Sequence, residues 1–440
     1  MPAYFFAPKC NLDKLQKINN QALRICCGAM QSTPICVLPT ASGEMPLDIR
    51  HQYLCLNYKA KLLRLSPSSH PAQNLIEDSE MEVYCFAEHD IVTFNSATKL
   101  PIFEQLALES RKIPKEPPWQ LHRPVVDLKL AQQVSKTDSP ELAKTVASAY
   151  ISEAYELHTK IYTDGSKTTN GAGFAFKIPS LSITQAMRCT TIHTVFSIEL
   201  LAIRHALAWI LKNTPNTRPY LILSDCLSGL ESIKKFEYRY DQEVVEYIVL
   251  ILNQIKEKGV DVILAWIPGH VGIVGNEDVD KIARNAATSE TTSIQNFAIS
   301  KTEAKTTIKQ YCMKQWEDQY QGTTRGSQYK IFQPSIMQNL TPSLDRTASS
   351  VILRLRSGHC RLNKHLYRIG TKESPNCEHC QTQETVEDFL ISCPHYESKR
   401  TDLRRTARQL NLPLTSHTLL TEPELMSRVV TFVLSCRKLV

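Results

Sequence analysis

The sequence contains no run of eighteen or more apolar residues, so no helical membrane span is expected. Its first ten residues, MPAYFFAPKC, hold no hydrophobic stretch long enough for a secretory signal. The protein is therefore expected not to be secreted. Its 14 cysteines are read as reduced thiols or metal ligands rather than disulfides. A large excess of one charge is also missing, since the net charge is +7 over 440 residues. That small excess is uneven. Residues 1–149 hold 16 basic and 15 acidic side chains, residues 150–290 hold 14 and 16, and residues 291–440 hold 21 and 13. The last third is the part drawn to a polyanion, for which nucleic acid is the default; a solvated basic surface is the plainer alternative. The remaining balance, 42% hydrophobic and 22% charged, is that of a soluble globular chain with room for two or three domains.

The first third reads as helix and then connection. Residues Asn11–Ser66 are helical in pattern, with Leu12, Leu15, Ile18, Leu23 and Ile25 on an apolar stripe that Gly28 breaks. A second helix is expected over Leu47–Arg64. From Pro67 the periodicity fades, and Pro114, Pro117, Pro118 and Pro124 punctuate the chain, so 67–150 reads as a linker.

The central stretch carries the chemistry. Lys160–Asp164 reads as a strand and Asp164-Gly165 as a turn at its end. Most Asp-Gly pairs are only turns, but three more acids follow. Gly171–Ile178 and Leu181–Arg188 continue an antiparallel meander. Phe196–Leu211 is an amphipathic helix with Glu199 in its first turn, where the helix dipole alone would favour an acid. Tyr220–Asp225 is an apolar run ending on an acid, as in a strand buried on both faces. Val244–Ile255 is a helix and Val260–Ile267 the fifth strand. A glycine-bearing loop then holds His270, and Asn276 is read as the N-cap of a helix carrying Asp280. Strand ends and helix starts of an α/β sheet converge on one edge. Four carboxylates crowded there would repel one another. Divalent cations with hard oxygen ligands, Mg²⁺ or Mn²⁺, resolve that conflict. Two such ions can activate water and stabilise the leaving oxygen of a phosphodiester.

The segments IYTDGSK, SIELLAIRHAL, LILSDCLSGLESI and WIPGHVGIVGNEDVDKIA together resemble a type 1 ribonuclease H domain of a retrotransposon. The resemblance covers about Lys160–Thr288 and rests on Asp, Glu, Asp, His and Asp in that order. It implies a five-stranded mixed sheet with helices on both faces and hydrolysis of the RNA strand of an RNA–DNA hybrid. It implies that Asp164, Glu199, Asp225 and Asp280 ligate two Mg²⁺ ions, and that His270 assists proton transfer. Gly165, Ser166, Asn170 and Asn276 are candidate substrate contacts by position. Three departures stand out. Cys226 follows the third acid where a small polar residue is usual. Val195, Phe196 and Ser197 precede the glutamate, and only Ser197 could donate to a hybrid. No long basic protrusion follows the second helix, where Lys234, Lys235 and Arg239 are the nearest substitute.

The flanks carry weaker resemblances. LQKINNQALRICCGAMQSTP is similar to the segment after the polymerase palm of non-LTR reverse transcriptases. No Tyr/Phe-Ala-Asp-Asp occurs in the chain, so a truncated remnant is implied, not a polymerase. Lys301–Gln319 reads as a helix, followed by a Gly/Ser/Pro-rich stretch over Gly322–Pro342. In Ser349–Ile369, the most basic stretch, Arg354, Arg356, Arg361, Lys364 and Arg368 are expected to face outward over packed leucines. Cys377-x2-Cys380 with Cys393 is a zinc signal lacking a fourth cysteine. The region resembles the zinc-binding tail of non-LTR elements, in which the fourth position is Asp388 here; His395 is the alternative, and His379 is poorly placed. Pro394–Val440 reads as two helices around the Leu412–Glu424 loop. The expected organisation is a helical remnant at 1–66, a linker at 67–150, a ribonuclease H-like α/β domain at 151–290 and a basic helical region with a zinc-like motif at 291–440. Expected partners are RNA–DNA hybrid and other nucleic acid, in the nucleus or cytoplasm; the oligomeric state is unassigned. The alternative function is a catalytically inactive nucleic-acid-binding remnant.

Overall fold

A computed structural model describes residues 8–64, 120–135, 138–213, 218–236, 243–289, 291–337 and 344–438. Arg239 and most of the expected linker, with Pro114, Pro117 and Pro118, lie outside the described residues. The chain opens with helices α1 (Lys9–Cys27), α2 (Val37–Ser42) and α3 (Leu47–Leu63). Gly28 ends α1 in a left-handed conformation (φ 63°), which glycine adopts without a Cβ penalty. The expected stripe on α1 is only partly covered: Leu23 is buried, whereas Ile18 and Ile25 are exposed.

The middle of the chain forms a seven-stranded sheet in the order β1-β6-β5-β2-β3-β4-β7. Its strands are β1 (Val125–Asp127), β2 (Thr159–Lys167), β3 (Ala172–Ile178), β4 (Ile183–Cys189), β5 (Tyr220–Ser224), β6 (Val262–Trp266) and β7 (Ile294–Gln295). Strands β2, β3 and β4 form the expected antiparallel meander. Strands β5, β6 and β1 run parallel beyond β2. The five expected strands are therefore the core of the sheet, and β1 and β7 extend its edges. The helices here are α4 (Leu130–Gln133), α5 (Pro140–Ala154), α6 (Val195–Lys212), α7 (Leu227–Lys234), α8 (Glu243–Glu257) and α9 (Val274–Thr288). Ile161, Ile222 and Leu264 pack against Leu207, Ile248 and Ile233 of α6, α8 and α7. On the opposite face Leu221, Leu223 and Ala265 pack against Ala147, Ile151 and Tyr155, and Ala175 packs against Val279 and Ala283 of α9. Strand β5 is thus buried on both faces, as its unbroken apolar run requires.

Two expectations change here. Strand β2 does not stop at Asp164. It continues through Gly165 and Ser166 to Lys167, with Gly165 opposite Phe174 and Ser166 opposite Gly173. Ladder pairing wins over the local turn preference of Asp-Gly, and the turn falls at Thr168–Gly171, where Thr168 N–H donates to Gly171 O at 2.8 Å. The described residues 120–135 and 138–150 also differ from the expected linker. They supply β1 and most of α5, and Asp127 Oδ2 accepts the hydroxyls of Tyr150 and Tyr155, each at 2.5 Å. A three-residue strand is too short to be legible from periodicity.

The C-terminal helices are α10 (Lys301–Gly322), α11 (Ser327–Phe332), α12 (Arg346–Ser357), α13 (Asn363–Arg368), α14 (Thr401–Gln409), α15 (Ser416–Thr421) and α16 (Pro423–Cys436). The chain divides into two compact units: described residues 57–64 and 120–307 in one, 8–56 and 308–438 in the other. The N-terminal helices therefore belong with the C-terminal region rather than standing apart. Arg354 Nε donates to Gly28 O at 2.9 Å, and Ser350 Oγ to Cys27 O at 3.2 Å. Val351, Leu355, Leu403, Leu420, Val429 and Val433 form that unit's core. Arg356 does not face outward. It is 1% exposed, and its Nε and Nη2 donate to Leu420 O at 2.9 and 2.7 Å.

Candidate active site

Asp164 sits in the middle of β2, the central strand, and is buried. Glu199 follows the N-cap of α6, where Thr194 Oγ1 accepts the Ser197 N–H at 3.2 Å. Helix α6 approaches β2 closely because Gly165 has no side chain. A Cβ there would lie 2.8 Å from Glu199 N and 2.9 Å from Ile198. Asp225 follows β5, and its carbonyl accepts Trp266 Nε1 at 3.1 Å. Gly269 passes so near that a Cβ would meet Asp225 Oδ2 at 2.5 Å. One oxygen from each of Asp164, Glu199 and Asp225 lies within 4.8 Å of the others. The fourth acid, Asp280 on α9, groups with His270 and Glu277 by the same measure.

The electrostatics of this group are strained. Asp164 Oδ2 and Glu199 Oε2 are buried with no hydrogen-bond partner. Burial pushes the Asp164 carboxyl up to about 7, helped by the charges of Asp225 and Asp280 and opposed by Arg284 and the Gly165 N–H. Glu199 is raised well above the usual carboxylate range by burial, then by Asp164 and Asp225. Burial raises Asp225 too, against the pull of Asn276 and His270. Buried carboxylates left without donors or cations are costly.

Asn276 is not the N-cap of α9. The helix begins at Val274, and Asn276, 1% exposed, turns its Nδ2 toward Asp225 Oδ2 at 3.5 Å. Asn170 is exposed in the β2–β3 turn, while Gly165 and Ser166 lie partly exposed within β2. Ser197 is taken up by the cap, with its Oγ 3.0 Å from Thr194 Oγ1. His270 has a left-handed backbone (φ 57°) and is 68% exposed, with Nδ1 3.8 Å from Asp280 Oδ2. Two residues escaped the sequence reading. Arg284 Nη2 donates to Asp280 Oδ2 at 2.6 Å; its spacing of four from Asp280 on a helix is the available signal. Glu277 Oε1 accepts the Gly272 N–H at 3.0 Å and ties down the histidine loop. Beside Asp225 and His270 opens a cavity of 740 Å³, lined also by Ser135, Asp138, Cys226 and Trp266.

In the other unit, Cys377, Cys380 and Cys393 bring their sulfurs within 4.8 Å of one another. Asp388 Oδ2 lies 3.8 Å from Cys380 Sγ. His395 instead stacks on His379, with ring centroids 3.6 Å apart.

Residues 156–288 match the family model for RNase H. The sheet, its helices and the buried acids all lie in or beside that span, so the fold is RNase H-like. An RNase H family domain implies a hydrolase acting on RNA in RNA–DNA hybrids, and the match spans less than a third of this chain. No curated protein matches the chain. Among solved structures it is similar to a foamy viral protease-reverse transcriptase in complex with dsDNA. That match has 19% identity and a TM-score of 0.24, and covers 30% of this chain and 96% of the other. No helix among the described residues is long and apolar enough to cross a membrane.

Proposed function

We propose that the RNase H-like domain is a metal-dependent endonuclease cutting the RNA strand of RNA–DNA hybrids, in a chain descended from a non-LTR retrotransposon. The observation that carries this reading is the pair of partnerless buried oxygens on Asp164 and Glu199. A structural core has no use for them, whereas a cation does. The donor set fits Mg²⁺ or Mn²⁺: only carboxylate oxygens, crowded and reluctant to ionise together. Asp164, Glu199, Asp225 and Asp280 would hold two ions, which when bound supply activation of water and stabilisation of the leaving oxygen.

The remaining parts of the task fall to the chain itself. Asn276 and Trp266 fix Asp225 from opposite ends, through its carboxylate and its carbonyl. Arg284 neutralises Asp280. His270 stands where it can take a proton from the site at a ring nitrogen and release it to solvent. Ser166 and Asn170 are candidate readers of the 2′-hydroxyl that distinguishes RNA from DNA. Cys377, Cys380, Cys393 and Asp388 are proposed as a structural zinc site, since three thiols and a carboxylate make the four donors such a site takes.

The test is a labelled hybrid incubated with full-length protein and Mg²⁺, comparing wild type with Asp164→Asn. Cleavage by wild type alone supports the reading, and absence of metal-dependent cleavage by wild type sinks it. A second reading is an inactive nucleic-acid-binding remnant, favoured by Cys226 beside Asp225 and by the small acidic excess of residues 150–290. Salt-sensitive hybrid binding without turnover, indifferent to Asp225→Asn, would support it.

A further inference from the structure

The unit containing residues 8–56 and 308–438 holds a polar cluster that no step above uses. Arg368 Nη2 lies 3.2 Å from His359 Nε2 and 2.8 Å from His365 Nδ1. Ser32 Oγ lies 3.1 Å from His359 Nδ1 and 2.9 Å from His365 Nε2. The two rings are 4.7 Å apart. A guanidinium only donates, so both ring nitrogens facing Arg368 are bare. Each neutral ring then carries its proton on the other nitrogen and donates it to Ser32 Oγ. Burial lowers the pKa of both imidazoles, and Arg368 adds to the effect, which agrees with neutral rings.

The arrangement has a consequence for Arg368. Both Nη2 hydrogens are held by neutral acceptors, so the guanidinium is oriented without its charge being cancelled. Its Nε and Nη1 hydrogens remain, and the residue is exposed. Other arginines of this unit behave differently: Arg400 and Arg404 pair with Glu397, and Arg405 with Asp402. Lys364, one helical turn before Arg368 on α13, is exposed, and so is Tyr367 at 51%. Together with His365 and Arg368 they line a cavity of 400 Å³. Glu384, the one acid among the described residues of its wall, is fully buried; it already pairs with Lys438 and accepts the Asn363 N–H.

We propose that Arg368, aimed by His359 and His365 and flanked by Lys364 and Tyr367, binds the phosphate backbone of single-stranded nucleic acid. An oriented guanidinium fork matches a phosphate. An open site with an exposed aromatic ring beside the cations suits a strand whose bases stack, rather than a small free anion. This site does not depend on whether the RNase H-like domain cleaves.

The experiment is fluorescence anisotropy of a labelled oligothymidylate with the full chain, without added magnesium, across a range of salt. Arg368→Ala is expected to weaken binding about tenfold and to reduce the salt slope by about 1. Tyr367→Ala is expected to weaken it severalfold with the slope unchanged. Arg405→Ala removes an equal but carboxylate-paired charge and is expected to do neither. Equal losses from Arg368→Ala and Arg405→Ala, or no loss from either, overturn the proposal. If Arg368→Ala does not fold, Tyr367→Ala and Lys364→Ala decide, since both side chains stand outside the histidine cluster; no effect from either overturns it. The His359 and His365 ring resonances separate the two sources of phosphate. Perturbation by oligothymidylate supports the backbone reading, and perturbation by inorganic phosphate alone overturns it.

Discussion

Asp164 works against the stability of the fold it sits in. Its carboxyl is pushed up to about 7 in the folded chain, against an ordinary value near 3.9. Between those values the folded state holds a proton that the unfolded state has released. Stability therefore falls as pH rises from about 4 through 7. The metal-free protein is expected to melt at lower temperature at pH 8 than at pH 5. Asp164→Asn should flatten that dependence and raise the melting temperature while lowering cleavage by roughly a thousandfold or more. A melting temperature that climbs over this range, followed by calorimetry with chelator present, would refute the account. That Asp164, Glu199 and Asp225 would come together was legible from their order and types along the chain. The partners that aim them were not. Whether Asn276 caps its own helix or reaches Asp225 depends on where β5 lies, and no local pattern carries that information.

At the scale of elements, two joints hold α6 where Glu199 is needed. One is Gly165, and Gly165→Ala would force α6 from β2 at a cost of roughly 1–3 kcal/mol. Hybrid cleavage should fall far more steeply than urea stability in that variant; unchanged turnover would show that the close approach is dispensable. The other is Glu303 on α10. It accepts the Thr194 N–H at 2.7 Å and the Ser300 N–H at 2.9 Å, and it lies 3.5 Å from His193 Nδ1 with both side chains buried. Though burial opposes ionisation, His193 and those N–H donors hold its carboxyl down at about 2. Its stabilisation is thus complete above the ordinary carboxylate value and is lost as pH falls toward 2. Glu303→Ala should cost roughly 3–5 kcal/mol in urea unfolding at neutral pH; a loss below measurement would mean the joint is idle. Apolar periodicity revealed the strands and helices of the sheet's centre. It failed at Asp-Gly, where cross-strand pairing overrides a turn-forming dipeptide, and at Arg356, whose carbonyl partner lies 64 residues away.

Over the whole molecule, metal content is the readable quantity. Mg²⁺ or Mn²⁺ should raise the melting temperature of residues 120–307, because ligands that bind only the folded state stabilise it. Asp225→Asn should blunt that rise, and an unchanged rise would place the cation elsewhere. Zinc analysis of purified protein should find about one ion per chain, lost in Cys377→Ser together with stability of the unit that holds the three thiols. Zinc retained in that variant would clear the cysteines of the role. The division into two units was only half visible beforehand. Composition separated the basic last third, but nothing local announces that Cys27 and Gly28 will meet α12 more than 300 positions later.

Anyone wishing to excise the RNase H-like domain will be tempted to cut at residue 156. Doing so would strip Val125–Asp127 from its place beside Ile263–Ala265 and remove the two tyrosine hydroxyls that grip Asp127. A bare row of amides on Val262–Trp266 would then face solvent, an invitation for a second copy to add its own strand. A fragment starting near residue 120 and running past Glu303 should stay monomeric in dilute solution, and the shorter one should clump.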